Sequence, residues 1–514
     1  MMRSNRWVVV RTEETAARPA RKASKRSGAR RSRLNSRRQH RSYGRFLGFA
    51  ALGSVVPGSG LLAAGRRRSG LFFLTLFVLG IAALAAVYLL VPKERLLAVA
   101  FDQRDLTIVA GVLAAVGIVW LLIAVASHRA LEPAGLSAGK RLGGAFVVII
   151  ATSLVLTPVA AGVQRAFVQR DLIESVAAPE NSISNTTPET VEEVDPWADK
   201  PRVNVLLLGG DGGPNREGIR PDSQILASID TQNGDTVLFS LPRNLQHTPF
   251  PEDSPLHTFY PDGFDDDEEN MINAVYGTVP AAYPEVFEGV AYPGADANKW
   301  AVEGALGVDV DYFVMLNLDG FEQMVDALGG ITIDVKEDIP IGGGSSPISG
   351  YIRAGENQRL DGYYALWFAR SREGSDDYHR MERQRCVIGA IIEEADPITV
   401  FRRYQELAEA TKDIVATDIP AGLLPAFVEL ALKVKDASVT SLPFTNQVID
   451  PESPDYDLMH TLVAEALLPP AEPTSTPTAT ASASPRQASP TATPTPTPSP
   501  TIEPDQAADV TAVC

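Results

Sequence analysis

Three apolar runs, residues 70–91, 106–126 and 142–163, constrain this chain most, because each is long enough to cross a bilayer as a helix. A fourth run, residues 46–64, is broken by Pro57, Gly58 and Gly60 and reads as an interfacial or re-entrant helix. Basic residues set the orientation. Arg66, Arg67 and Arg68 precede the first span, and Arg129, Lys140 and Arg141 lie between the second and third. Three spans with a cytoplasmic N-terminus place everything after Val163 outside. The long basic start, with no short apolar segment and cleavage site after it, does not read as a cleavable signal peptide.

The net charge of −17 hides a segregation. From Arg3 to Arg68 there are about eighteen Lys and Arg against two Glu, so the rest is strongly acidic. Such a tail beside apolar spans reads as a topology signal near anionic lipid. No aromatic residues interleave the Arg clusters, which argues against nucleic-acid binding. The two cysteines, Cys386 in an expected helix and Cys514 at the chain end, predict no structural disulfide, and Cys386 is expected as buried packing. No Cys/His cluster has zinc spacing, and His247 and His257 are expected in solvent.

The expected organisation is a basic cytoplasmic tail (1–45), an interfacial or re-entrant helix (46–68), three membrane helices (69–163), a Ser/Thr/Asn/Pro linker (164–200), a folded extracytoplasmic domain (201–470) and a disordered Thr/Pro/Ser-rich tail (471–514). Within the domain, residues 203–208 form a wholly apolar run ending in Gly209-Gly210, as a buried central strand does. Residues 224–229 and 236–240 flank an Asn233-Gly234 turn, which marks a hairpin. Residues 312–318 and 331–335 read as strands, with a helix over 321–328 between them. The mixture predicts an α/β fold with helices on both faces of a mixed sheet.

The chemistry concentrates in residues 360–385. Arg370 and Arg372 share a face if 367–372 is extended, and Arg380, Arg383 and Gln384 share one if a helix begins near Tyr378. Converging guanidinium groups repel one another unless an anion sits among them, and their planar forks match a pyrophosphate. The competing reading is a set of salt bridges to Glu373, Asp376, Asp377 and Glu382. A second constellation is Asp211, in a Gly-rich loop after the first strand, and Asp222, just before the next. Both fall at one sheet edge, and two carboxylates beside phosphates suit magnesium. Arg243, at the end of the third strand, is a further expected phosphate ligand.

The strings Val203-Asn204-Val205-Leu206-Leu207-Leu208-Gly209-Gly210-Asp211, Arg220-Pro221-Asp222-Ser223 and Ser240-Leu241-Pro242-Arg243 resemble the start of a LytR–CpsA–Psr domain. Later strings keep that family's order: Ile272-Asn273-Ala274-Val275-Tyr276, Val310-Asp311-Tyr312-Phe313-Val314, Leu360-Asp361-Gly362, then Arg370-Ser371-Arg372 with Asp377, Arg380, Arg383 and Gln384. Asn244 departs from the pattern, where the family commonly has an acid, and Arg385 stands where a second Gln is common and reads as peripheral.

The resemblance implies an α–β–α sandwich with an apolar channel for a polyprenyl chain. It implies a magnesium-assisted transfer of a glycopolymer from a polyprenyl-pyrophosphate carrier to peptidoglycan. Asp211 and Asp222 would serve metal and hydroxyl, while Arg243, Arg370, Arg372, Arg380, Arg383 and Gln384 would hold the pyrophosphate. Phe313, Met315, Phe321, Met324 and Val325 are the expected lipid lining, or equally plain core. The rival expectations are a lipid-sensing regulator without catalysis and a pyrophosphate hydrolase.

Overall fold

The computed structural model describes residues 42–178, 182–188, 196–198, 200–210, 220–265, 269–343, 346–395, 415–468 and 505–510. It divides into two compact units, residues 1–91 with 108–165, and residues 92–107 with 166–514.

In order along the chain come α1 (Tyr43–Val55), α2 (Ser59–Ala63), α3 (Arg67–Leu90), α4 (Lys93–Phe101), α5 (Gln103–Leu131) and α6 (Ala138–Val176). Among the described residues, α3, α5 and α6 are long and apolar enough to cross a membrane. Their large apolar side chains, such as Leu84, Tyr88 and Leu154, point outward, as hydrocarbon around them allows. Phe46 of α1 is fully buried with Leu131 and Val148, and the Trp120 indole donates to the Ser54 carbonyl at 2.8 Å. The α6 helix does not stop at residue 163. It runs on through residues expected as linker, because Ala166 and Ile173, seven apart, form a buried stripe.

The second unit is built on β1 (Arg202–Gly210), β2 (Pro221–Asp230) and β3 (Thr236–Leu241), followed by α7 (Ile272–Ala282) and α8 (Pro293–Leu306). Next come β4 (Tyr312–Leu316), α9 (Leu318–Leu328), β5 (Ile331–Val335), β6 (Ile339–Gly343), β7 (Ser346–Ile352) and β8 (Gly355–Leu360). Then follow α10 (Gly362–Arg370), α11 (Asp377–Glu394), β9 (Val415–Thr417), α12 (Leu424–Asp436), β10 (Val439–Pro443), α13 (Tyr456–Ala466) and β11 (Ala508–Asp509). Seven strands make the central sheet in the order β11-β10-β3-β2-β1-β4-β9. It is mixed: β1 is parallel to β4 and β3 to β10, and the other pairs are antiparallel. The β2–β3 hairpin turns at Asn233-Gly234, where Gly234 has φ +87°.

Alternation along the strands sends side chains to two covered faces. Leu206, Leu226 and Phe239 pack under α7, α8 and α13. On the opposite face, Val205 and Tyr312 pack with Phe427 and Leu430 of α12, while Ile225, Ala227 and Leu238 pack with Ile388 of α11. The unit is therefore the expected α–β–α sandwich. The strand at 331–335 is placed differently: β5 pairs with β8 in a separate two-stranded sheet, and β6 with β7 in another. These ribbons share a satellite core with α9, α10 and α11, built on Val325, Ile331, Phe368 and Val387.

Two corrections concern segments expected to trail. Residues 182–188, placed in the linker, are tied down: the Ser184 hydroxyl, Asn185 amide and Thr186 hydroxyl donate to the buried carboxylate of Asp296 at 2.8, 2.7 and 3.1 Å. Cys386 is disulfide-bonded, against the expectation of no structural disulfide, and the sequence holds one other cysteine, Cys514. The expectation treated the chain end as remote from the domain, yet β11 is a strand of its sheet.

Candidate active site

Sheet topology gathers the site. Gly210 at the end of β1 lies opposite Pro221 at the start of β2, and Leu241 at the end of β3 lies opposite Gln224. Asp222 and Arg243 therefore meet at one edge, where ligand sites of open α/β sheets form. The strands are close there: a Cβ on Gly209 would sit 2.9 Å from Ser223 Cβ, so a larger residue would push β2 and Asp222 out of place.

The facing wall is α10 and α11. Asp361 caps α10, accepting from the Tyr364 amide at 3.0 Å, and the helix continues through Arg370. The extended backbone expected over 367–372 is thus replaced by helix up to Arg370, and Arg370 and Arg372 do not share a strand face. Asp376 caps α11, accepting from the His379 amide at 2.9 Å, and so starts the helix at Asp377. Helical spacing then puts Asp377, Arg380 and Gln384 on one face.

The side chains interlock across this edge. Arg243 Nη1 donates to Asp222 Oδ1 at 2.8 Å. Arg380 donates to the Asp222 carbonyl at 3.0 Å and to Asp377 Oδ2 at 2.9 Å, and lies 3.9 Å from Asp222 Oδ2. Asp377 Oδ1 is 3.6 Å from Arg243 and 3.7 Å from Arg372. The Ser223 hydroxyl donates to Gln384 Oε1 at 3.1 Å, stitching α11 to β2. Three guanidinium groups face two carboxylates, which leaves one positive charge in excess. Arg380 is 4% exposed, whereas Arg372 and Arg243 are 44% and 32% exposed, so the cluster is rooted in the protein and open on its Arg372 side.

The electrostatics follow from this packing. Burial alone would raise the Asp222 pKa, but the hydrogen bond from Arg243 and the charges of Arg243, Arg380 and Arg372 outweigh it and hold the carboxylate below its usual range. Burial lowers the Arg380 pKa, opposed by Asp377 and Asp222. The sequence offers Asp377 as a salt-bridge partner and as part of the family's string, with no role of its own in the site. Here it is the hub of three arginines, and its position one turn before Arg380 was the available signal.

Other expected site residues lie elsewhere. Arg383 is buried, donating from Nε to the Phe368 carbonyl at 2.8 Å and from Nη2 to the Ser371 carbonyl, so it closes the end of α10. The Arg370 guanidinium stacks 4.8 Å over the Trp367 ring. Arg385, read as peripheral, is 8% exposed, with Nε buried and without a hydrogen-bond partner among the described residues. Asp211 lies outside the described residues. The five expected lipid contacts are not brought together: Phe313 and Met315 pack in the main core, Phe321 and Val325 in the satellite core, and Met324 is half-buried on α9. A cleft of about 950 Å³ opens at the opposite sheet edge, lined by Lys200, Trp300, Glu303, Asp309, Asp311 and His460, among others. There burial lifts the Glu303 pKa to about 7, although its carboxylate accepts from the Val310 amide at 2.8 Å.

The chain is 28% identical over 225 residues to the polyisoprenyl-teichoic acid–peptidoglycan teichoic acid transferase TagU of Enterococcus faecalis, covering 43% of this chain and 62% of that protein. It is 24% identical over 334 residues to the corresponding transferase TagT of Bacillus subtilis, covering 62% and 90%. The crystal structure of B. subtilis TagV aligns with 23% identity over 52% of this chain and 96% of that one, with a TM-score of 0.36. For TagU the chain spans less than two thirds of its relative's length. The LytR_cpsA_psr family model matches residues 168–465, more than half of the chain and all of the described site, and the chain belongs to that family.

Proposed function

We propose that this chain is a membrane-anchored phosphotransferase that moves a phosphoglycosyl polymer from a polyprenyl-pyrophosphate carrier to peptidoglycan on the outer face of the membrane. The observation that carries the reading is the Asp222–Arg243–Arg372–Asp377–Arg380 cluster, a net cationic set rooted in buried structure and open on one side. The names of the TagU and TagT relatives supply the polymer class and the acceptor. Two further features support the placement. The disulfide at Cys386 suits an oxidising compartment. The α4 helix, which links the first two spans, lies against α12 of the sandwich. A loop between spans one and two on the domain's side is what three crossings from a cytoplasmic N-terminus require, and this contact supports that reading.

In the reaction, a peptidoglycan hydroxyl attacks the sugar-linked phosphorus. A new P–O bond forms and the bond to the bridging oxygen breaks, so polyprenyl phosphate leaves. Such transfers need positioning and charge neutralisation above all. Arg243 and Arg372, the exposed members, take the diphosphate oxygens, and Arg380 backs them. A bound diphosphate offsets the positive charge that keeps Asp222 acidic. The carboxylate then becomes a better acceptor for the hydroxyl proton as the hydroxyl arrives. Asp211 remains the alternative acceptor. Asp222 and Asp211 would hold magnesium, which would supply further neutralisation on the phosphates. Carboxylate oxygens are the donors such an ion prefers.

The test incubates the full chain in detergent with a polyprenyl-pyrophosphate oligosaccharide, magnesium and wall oligomers. A ligated product is expected. Released sugar phosphate without ligation would show a hydrolase, and binding without turnover a sensor. Arg372→Ala is expected to lose lipid-pyrophosphate binding while keeping the fold, since its side chain is half exposed; unchanged affinity would count against the cluster.

A further inference from the structure

The last residues return to the sheet. β11 pairs antiparallel with β10, Asp509 opposite Thr440 and Ala508 opposite Ser441. Val510, the next residue, is 1% exposed and packs with Ile225, Ala227 and Leu238, next to Ile388 of α11. Its seat exists because residue 389 is glycine: a Cβ there would lie 2.8 Å from Val510 Cγ1. Close-packed interiors do not absorb such an overlap without movement.

Cys386 lies three residues before Gly389 on α11 and is disulfide-bonded. The sequence offers one partner, Cys514, four residues beyond Val510. Four residues reach up to about 14 Å when extended, and three residues of helix advance only about 4.5 Å. From the seat of Val510, Cys386 is therefore within the reach of a residue four positions on.

We propose that a Cys386–Cys514 crosslink locks β11 under α11 as a clasp that positions the arginine-bearing helix from behind. Gln384 and Arg383 are two and three residues before Cys386, and Arg380 is one turn earlier, so the clasp grips α11 directly after its functional half. Closing the clasp removes one proton and one electron from each thiol. They pass to the disulfide of an extracytoplasmic thiol–disulfide oxidoreductase, which becomes a dithiol. The positioning role rests on the anion site proposed above; the crosslink does not.

Arg486 is the single Lys or Arg between Lys435 and the C-terminus, which gives a clean test. The full chain, purified in detergent without reductant, is nicked by trypsin at Arg486. The C-terminal fragment is expected to stay attached on a non-reducing gel and to separate after reduction; separation without reductant overturns the crosslink. Hydrogen exchange then reads positioning. Reduction, Cys514→Ser and Gly389→Leu are each expected to speed exchange along α11, and protection unchanged in all three overturns the clasp. Inorganic pyrophosphate is the binding probe. Its affinity is expected to fall on the order of tenfold on reduction of the native protein, as small misplacements of a binding group do, and not to change on reduction of Cys514→Ser. Equal affinity in both redox states overturns the positioning role. If the oxidised protein binds no pyrophosphate at all, the anion-site reading fails, and the clasp stands or falls on the gel and exchange results.

Discussion

Replacing Glu303 with Gln isolates the energetic cost of one buried carboxyl. Glu303 sits on α8 beside the cleft at the sheet edge opposite the arginines, and its pKa rises from 4.5 to about 7 because burial disfavours the charged form, with Asp309 and Asp253 adding to it. The Val310 amide and Lys299 oppose the rise without cancelling it. Below pH 4.5 the group is protonated in folded and unfolded chains alike, and its full contribution to stability is present. As pH climbs toward 7 the unfolded chain gives up its proton first, so stability falls until the folded group ionises too. The loss is on the order of 3 kcal/mol, from about 1.4 kcal/mol per pKa unit. Gln keeps the acceptor for the Val310 amide and removes the titration. Melting of the full chain in detergent, followed by tryptophan fluorescence, is expected to show no difference between the two proteins at pH 4. At pH 8 the variant is expected to melt roughly 6–12 °C higher, at about 2–4 °C per kcal/mol for a domain of this size. A difference that does not change with pH would refute the reasoning.

Two other perturbations follow from the geometry. Lys299 is fully buried, 2.7 Å from Asp418 Oδ2, and also donates to the Asp311 carbonyl at 2.8 Å; Lys299→Met strands a buried carboxylate and is expected to destabilise by about 3–5 kcal/mol in denaturant titrations, with Asp418→Asn recovering part of the loss. Asp222→Asn removes a negative charge from among three arginines, so pyrophosphate is expected to bind more tightly in calorimetry while glycopolymer transfer slows.

Much of the fold was legible because its signals are local. The wholly apolar stretch before Gly209-Gly210, the Asn233-Gly234 turn and the spacing after Tyr378 each report backbone geometry within a few residues, and β1, the β2–β3 hairpin and α11 follow them. The cluster was legible at Asp222, Arg243 and Arg380 for the same reason, because strand ends and a helix face locate them, whereas Arg372, expected on an extended segment, lies in the loop between α10 and α11. Long-range partners were not legible. Whether an arginine on α10 or α11 faces a ligand or a carbonyl depends on what packs against it, so Arg370 over Trp367 and Arg383 under α10 could not be told from Arg372. The return of β11 was hidden because the intervening Thr/Pro/Ser stretch carries no pattern that foretells it, and the ordering of residues 182–188 depends on Asp296, more than a hundred positions away.

The placement of Arg383 bears on how any mutational survey of this edge must be interpreted. Its guanidinium holds two main-chain oxygens and so fixes the turn from which Arg372 projects. Deleting it is expected to disturb the arginine cluster as thoroughly as deleting one of its members, although Arg383 is not among them. Dead variants alone therefore cannot distinguish scaffolding from recognition here; that distinction needs a small anion titrated against each one.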